Sequence, residues 1–219
     1  WAINAQADPA PGETANRLLD RVRGDVEAIE LPSSYHFEWD GQEGTSTEAI
    51  DSLIGVVPLG VIGMVLVVIV LFNAVRQPVI IFMIVPLAII GVTIGLLFTG
   101  IAMEFIAILG VLSLSGLLIK NAIVLVHQMD IEIGEGKQRF DAIIEAAYDR
   151  ARPVILSSLT TVLGVIPLLF DAFFKAMAVV LAFGLAFGTV LTLFVVPVLY
   201  AIFFKIGPDE TAAEPQGAS

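Results

Sequence analysis

Five long apolar segments make up most of the chain after residue 52. A helix needs about 20 residues to cross roughly 30 Å of hydrocarbon, and each segment reaches or approaches that length. Prolines inside the segments are compatible with membrane helices, where neighbouring helices satisfy the freed carbonyl groups. The pattern therefore predicts five transmembrane helices, over about residues 53–72, 79–98, 103–127, 153–171 and 176–204.

The first 45 residues show a different pattern. Apolar residues recur every three or four positions over residues 12–30, which predicts an amphipathic helix. Residues 35–39, YHFEW, alternate like a half-buried strand. One helix and one strand cannot close a core, so we predict that residues 1–45 are the incomplete end of a larger domain. The predicted fold class is an all-α integral membrane protein with a small N-terminal α/β remnant.

Residues 46–206 form the predicted transmembrane domain, with a polar connection over residues 130–152 between the third and fourth spans. Apolar positions from residue 140 to residue 147 favour an interfacial helix in this connection. A continuation of the third or fourth helix into solvent fits nearly as well. The polar tail, residues 207–219, is predicted to be disordered.

Composition narrows the function classes. The chain is 57% hydrophobic with a mean hydropathy of +0.91, which is typical of an integral membrane protein. The first 52 residues hold eleven acidic and three basic side chains, so a nucleic-acid partner is not expected. Cysteine is absent, and we find no phosphate-binding loop, catalytic triad or sheltered carboxylate pair. The sequence therefore predicts no enzyme, no metal site and no cofactor.

Basic residues near the span ends predict the orientation. One side has only Lys175, and the other has six, namely Arg76, Lys137, Arg139, Arg150, Arg152 and Lys205. Loops rich in lysine and arginine remain in the cytoplasm. We therefore predict a multi-pass protein whose N-terminal segment lies outside the cytoplasm and whose C-terminus lies inside it.

Lys120 is the sharpest candidate for function. It lies in the third span, in the stretch GLLIKNAIVLV, where a charged side chain costs about 2.5 to 3.5 kcal/mol on insertion scales. The alternative is snorkelling, but the ammonium would be about 10 Å below the interface, further than its stem comfortably reaches. We therefore expect Lys120 to face a protein partner or a wet cavity.

Lys120 belongs to a stripe of small and polar residues on the third span. Ser113, Gly116, Lys120 and His127 recur at spacings of three, four and seven, which places them on one face and predicts that this face contacts protein. The adjacent Asn121 fits a functional hydrogen bond and simple packing equally well. Close helix packing is also predicted at five glycines, which are Gly91, Gly95, Gly116, Gly184 and Gly188.

The fourth span supplies a second polar set. Arg150 and Ser157 are seven residues apart, hence on one face if the helix continues through Pro153. Hydroxyl side chains cluster in the turn that follows, at Ser157, Ser158, Thr160 and Thr161. Such hydroxyls more often bond their own backbone than carry protons. No acid of the chain lies at the depth of Lys120, so either its carboxylate partner is on helices outside this sequence or its surroundings hold it neutral.

Several stretches, in this order, resemble the C-terminal membrane half of resistance-nodulation-division (RND) efflux transporters, in particular the drug and hydrophobe exporters. They are the aromatic strand with DGQEG, VPLAIIGV, GLLIKNAIVLVHQ, DAIIEAAYDRARPVILSSLTTVLGVIPL and VVPVLY. They cover most of residues 30–206 and correspond to spans eight to twelve of a twelve-span protein.

The resemblance implies a proton-driven permease of the bacterial inner membrane that exports hydrophobic or amphiphilic compounds, an antiporter of the kind that confers multidrug resistance. Lys120 matches the relay lysine of the family, Arg150 the first arginine of its R-x-R-P motif, and Ser157 the hydroxyl position after it. His127 stands where the family commonly has an acid. Supporting polar positions are Ser113, Asn121, Thr160 and Thr161.

The resemblance also implies partners. These are the other seven spans with their paired aspartates, the periplasmic porter domain that residues 1–45 would complete, and two further copies in a homotrimer. A periplasmic adaptor, an outer-membrane channel and the lipid bilayer are expected around it, and the proton motive force would supply the energy. A non-transporting membrane scaffold is the alternative. A metal-exporting member is disfavoured, because the KNAI segment resembles the drug exporters and no Met, Cys or His cluster is present.

Overall fold

The computed structural model describes residue 5, residues 15–32, residue 39, residues 42–171 and residues 173–207. The chain divides into two compact units, Trp1–Gly60 and Val61–Ser219. All regular structure in the described residues is helical. The predicted all-α class is therefore confirmed for this part of the chain. The predicted tail lies almost entirely outside the described residues.

The first unit contains helix α1, Ala15–Glu27, and the beginning of helix α2, Gln42–Phe72. Arg23 and Trp39 both donate to the carboxylate of Glu27, over 2.9 and 3.3 Å, and these bonds lower the pKa of Glu27 below its ordinary value. Most of the predicted strand, residues 35–38, lies outside the described residues, and Trp39 is not in a strand. The β part of the predicted α/β remnant is thus not supported.

The second unit is a bundle of helices. After α2 come α3 (Arg76–Phe82), α4 (Ile84–Thr99), α5 (Phe105–Gly134), α6 (Arg139–Val165) with a 3₁₀ turn (Ile166–Phe170), and α7 (Lys175–Phe204). Within the described residues, five helical segments are long and apolar enough to cross a membrane, which confirms the predicted number. They are Ser52–Phe72, Arg76–Thr99, Phe105–Gly134, Arg139–Phe170 and Lys175–Phe204.

Helix α6 is continuous through Pro153. Its first three turns are the predicted helix of the connection, so the continuation of the fourth helix, and not a separate interfacial helix, is what the structure shows. Helix α5 likewise continues to Gly134, beyond the predicted end of the third span. A proline removes one backbone donor, and a membrane helix can either continue through it or begin at it. The sequence alone therefore did not decide whether the fourth helix begins before or at Pro153.

Helices α5 and α7 run parallel along the centre of the bundle. Glycines on one helix meet large side chains on the other: a Cβ added at Gly110 would lie 3.2 Å from Val180 Cβ, and one at Gly188 would lie 2.6 Å from Leu118 Cδ2. Tyr200 bonds the Asp130 carboxylate 70 positions earlier in the chain, the same offset as in the two glycine contacts. The constant offset defines one register over most of both helices.

Helix α4 packs antiparallel against α7 through two glycines. A Cβ added at Gly91 would lie 2.5 Å from Phe187 Cβ, and one at Gly95 would lie 2.5 Å from Phe183 Cβ. Since the crowded atoms are Cβ atoms, which move only with the backbone, only glycine fits this approach. Helix α4 then ends at Gly100, whose φ of +68° is the left-handed conformation that favours glycine after a helix.

Burial differs sharply among the spans. Half of the most apolar part of α7 is buried, against 6% for α2. Helix α2 joins the bundle near its C-terminal end, where Val68 is buried and the ring of Phe72 meets His127 edge-on at 6.3 Å. Asn73 then takes a φ of +48°, and the chain turns into α3. Helix α7 is thus the centre of the bundle and α2 its periphery.

Candidate functional site

The predicted stripe on α5 lies on one exposed face of the helix. Ser113, Gly116, Lys120 and His127 are all exposed, and nothing lies within 4 Å of a Cβ added at Gly116. Among the residues that the structure describes, Lys120 has no hydrogen-bond or ion-pair partner. Apart from the edge-on contact of the Phe72 ring with His127, the protein contact predicted for this stripe is not made by the described helices, and Ser113, Gly116 and Lys120 form an open polar surface.

Asn121, the neighbour of Lys120, is buried. The register of α5 and α7 places it level with Leu191 and Thr192. Thr192 is fully buried and donates to the carbonyl of Gly188 over 2.8 Å. Asn121 thus lies inside the bundle, whereas Lys120 lies on its surface.

The hydroxyl side chains of α6 also differ in burial: Ser158 is buried, whereas Ser157 and Thr160 are exposed. Thr160 donates to the carbonyl of Leu156 over 2.8 Å and Thr161 to that of Ser157 over 3.0 Å, the backbone bonding expected of such residues in membrane helices. Ser157 is exposed, and its hydroxyl bonds no other described residue. Because α6 is continuous, Ser157 and Arg150 lie two turns apart on one face, as the sequence predicted for a continuous helix.

Ser158 has a buried partner that the sequence did not reveal. Its hydroxyl oxygen lies 2.6 Å from that of Thr189 on α7, and the Thr189 hydroxyl also lies 2.6 Å from the carbonyl of Leu185. Thr189 has one proton and the carbonyl only accepts, so the Ser158 hydroxyl supplies the proton of the contact between hydroxyls. This bond connects α6 to α7 inside the bundle.

A series of hydrogen-bonded and ion-paired side chains connects α5 and α6. It lies at the end of the bundle where α5 leads into α6, around residues 128–150, and we call this end of the bundle the basic end. The Arg150 guanidinium donates through Nε and Nη2 to Gln128 Oε1, with Nε at 3.1 Å. The Gln128 amide donates to Glu132 over 2.7 Å. Lys137 bridges Glu132 and Glu145, the latter over 2.7 Å. The series starts and finishes on α6 and passes through α5 between.

The ion pairs at the basic end stabilise the protonated form of Lys137. The hydrogen bond of Lys137 to Glu132, followed by that to Glu145, raises the pKa of Lys137 above its ordinary value. Lys137 therefore stays protonated throughout the physiological pH range. Glu132 is buried, and its two carboxylate oxygens are taken by Gln128 and Lys137.

The three predicted relay residues are not joined directly in the structure. Arg150 bonds Gln128, which lies eight residues beyond Lys120 on α5, or about 12 Å along the helix axis. Neither Lys120 nor Ser157 bonds Arg150 among the described contacts. Gln128 and Thr189 are polar residues that sequence reasoning missed, because single amides and hydroxyls are common in membrane helices and their partners are distant in sequence.

A comparison with known families decides what kind of protein carries this arrangement. The family model of the AcrB/AcrD/AcrF family matches residues 2–204. The chain belongs to the AcrB/AcrD/AcrF family. This membership confirms the resemblance to RND transporters and places the chain in a family of transporters, not of enzymes.

Two solved structures are similar to the chain, and both are crystal forms of a heavy metal efflux pump. Form II is 27% identical with a TM-score of 0.70, over 89% of this chain and 20% of the pump chain. Form I is 24% identical with a TM-score of 0.66, over 87% of this chain and 20% of the pump chain. The chain thus spans about a fifth of the length of the pump that it matches.

Proposed function

We propose that the chain is part of a proton-driven efflux permease and contributes the basic half of its proton relay. One observation carries the proposal: Lys120 lies halfway along α5, about 22 Å from either end of the helix, on an exposed polar face without a partner in the described residues. A charge in the apolar middle of a membrane helix requires a partner or a wet cavity. The proposed partners are carboxylates on seven further spans of the same transporter.

The proposed mechanism is charge competition. While the carboxylates are ionised they pair with Lys120, and their protonation removes the attraction, so the helices carrying the two halves shift against each other. Arg150 adds a fixed positive charge at the basic end, and the free hydroxyl of Ser157 offers a proton-carrying group on α6. Proton entry from one side and release to the other would then drive the porter domain between states.

The proposed placement follows the basic residues. The loops with six lysines and arginines lie in the cytoplasm, so the basic end is the cytoplasmic end of the bundle in the bacterial inner membrane. Residues 1–45 then belong to a periplasmic porter domain. Three copies would form the transporter, with a periplasmic adaptor and an outer-membrane channel as further partners.

The relay is tested by replacing Lys120 with Met in the full-length, assembled transporter. Export driven by a proton gradient is measured in proteoliposomes, with Lys175→Met as the matched control, because Lys175 is the lysine at the opposite end of the bundle. We expect Lys120→Met to reduce export to the level of vesicles without the transporter and Lys175→Met to leave it intact. Undiminished export by Lys120→Met would remove the relay and favour the scaffold alternative.

The proposed substrates are hydrophobic or amphiphilic compounds, because the KNAI segment resembles the drug exporters. Export of heavy metal ions is a second candidate, favoured by the 27% identity to a heavy metal efflux pump over 89% of this chain. An assay of the assembled transporter with an amphiphilic cationic dye and, separately, with Zn²⁺ and Cu⁺ distinguishes them. Dye export without metal export supports the first candidate, and the reverse supports the second.

A further inference from the structure

Among the residues that the structure describes, the guanidinium of Arg150 is bound by a neutral amide and not by a carboxylate. Both of its bonding nitrogens, Nε and Nη2, donate to Gln128 Oε1. An arginine in partly buried surroundings is most strongly bound by a carboxylate, which also cancels its charge. Glu132 lies one turn from Gln128 on α5, yet its oxygens are taken by Gln128 and Lys137. No carboxylate in the described part of the chain therefore cancels the charge of Arg150 by direct contact.

In the series of polar side chains at the basic end, Gln128 is the one uncharged member. From Arg150 the series runs through an amide, a carboxylate, a lysine and a second carboxylate, and the last three groups form ion pairs with one another. Gln128 is the uncharged link that separates the cation of α6 from the buried acid of α5. Its amide oxygen fixes where the guanidinium lies. Because arginine is always protonated and the amide is uncharged, the pair of Arg150 and Gln128 keeps a net positive charge.

We infer that Gln128 is a positioning residue: its amide holds the Arg150 guanidinium at the basic end of the Lys120 face and keeps its charge available to the groups of the relay. This inference rests on the proposed function, since it requires a relay centred on Lys120. It assigns to Gln128 a role that the charged residues alone do not supply. The role is electrostatic, so it predicts a change in pH dependence and not only in stability.

The expected size follows from the geometry. Gln128 and Lys120 are about 12 Å apart along the helix axis. At that distance, with an effective dielectric constant of about 20, one unit charge changes the pKa of another group by about one unit. The other charged or titratable groups around the basic end keep their side chains in the test. They are Glu132, Lys137 and Glu145 of the polar series, His127 and Asp130 on α5, Arg139, Asp141, Asp149 and Arg152 on α6, Tyr200 on α7 and Arg76 on α3.

The test is Gln128→Glu in the full-length, assembled transporter. The variant keeps oxygen acceptors for Arg150 and adds the charge that cancels the guanidinium. Loss of a nearby positive potential raises the pKa of carboxylates and of a lysine alike. We therefore expect the pH profile of export to move to higher pH, by up to about one unit. Gln138→Glu is the matched control, because it adds the same charge at the exposed N-cap of α6, and no shift is expected.

A second variant separates the charge from the added carboxylate. Arg150→Gln removes the same positive charge without placing an acid beside Glu132, and the same shift to higher pH is expected. Profiles of Gln128→Glu and Arg150→Gln that coincide with that of Gln138→Glu would overturn the inference, even if export were weaker. In the same assay, Lys120→Met distinguishes the two claims: lost export with unshifted profiles leaves the proposed function standing and removes only the role of Gln128, whereas retained export removes both.

Discussion

The two faces of α5 differ in what they contact. One face packs on α7 in a single register, with Leu114 and Leu118 against Gly184 and Gly188. The other face carries Ser113, Gly116, Lys120 and His127, and it is exposed. The first face is explained by the chain itself, since large side chains fill the space that glycines leave on a parallel neighbour.

The second face is explained only by something beyond the described helices. An uncovered lysine at the centre of a lipid-facing helix is costly, and small residues beside it would fill no space there. The difference teaches that α5 has a packed side and an open side, and the proposed relay assigns function to the open one. Changes on the packed side are expected to act on stability, and changes on the open side on export.

The largest effects are expected from one substitution on each face of α5 at nearby positions. Leu118→Ala leaves a cavity against Gly188 and should lower the free energy of unfolding by about 2 to 5 kcal/mol. Lys120→Met should abolish export without lowering that free energy, because a charge is removed from an apolar span. Unfolding of the purified transporter followed by circular dichroism, together with the export assay, checks both. Equal loss of stability in the two variants would contradict the division of α5 into two sides.

A pair of glycines sharpens the comparison. Gly188→Ile would force atoms into Leu118, where a Cβ already lies 2.6 Å from Cδ2, and should cost about 1 to 3 kcal/mol of stability. Gly116→Ile meets open space, so the five-helix bundle should keep its stability while contact with the remaining spans, and with it export, is weakened. The same unfolding and export measurements apply. A destabilising effect of Gly116→Ile equal to that of Gly188→Ile would argue against an open face.

Two adjacent serines of α6 give a smaller and equally direct contrast. Ser158→Ala removes the buried bond to Thr189, which in membrane proteins is worth about 0.6 kcal/mol and at most about 1.7 kcal/mol. Ser157→Ala removes an exposed hydroxyl with no described partner, so stability should not change and export should fall. Thermal unfolding and export of the two variants decide the matter. The hypothesis fails at this position if Ser157→Ala exports as well as the parent protein.

The smallest effect is expected at the basic end. Lys137→Met removes the ion pairs with Glu132 and Glu145. Because the side chains of Lys137 and Glu145 are 36% and 50% exposed and Glu132 keeps its bond from Gln128, the loss should be slight. Folding raises the pKa of Lys137, so the stabilisation is fully present below the ordinary pKa of lysine and is lost only as pH rises through the raised value. The difference in melting temperature between parent and variant should therefore be constant from about pH 6 to about pH 9. A difference that disappears within that range would contradict these ion pairs.

Long apolar runs made the five spans predictable, since only helices of that length satisfy their backbone groups within lipid. Lys120 could be singled out because its cost in lipid does not depend on its neighbours. The continuity of α6 through Pro153 could not be decided, because a proline permits both outcomes. The strand proposed over residues 35–39 rested on alternation alone, which in so short a segment is a weak signal.

The sequence by itself determined that five segments of the described part of the chain are long and apolar enough to cross a membrane, that a lysine lies near the middle of one of them, and that small and polar residues share its face. Only the tertiary structure decided that, within the described residues, this face is open and Gln128 rather than a carboxylate holds Arg150, and that Thr189 bonds Ser158. The physical reason is the distance in sequence between the residues involved. Hydrophobic periodicity and the cost of a charge in lipid can be read within one helix, whereas a hydrogen bond between helices depends on the register of residues that are 22 to 70 positions apart.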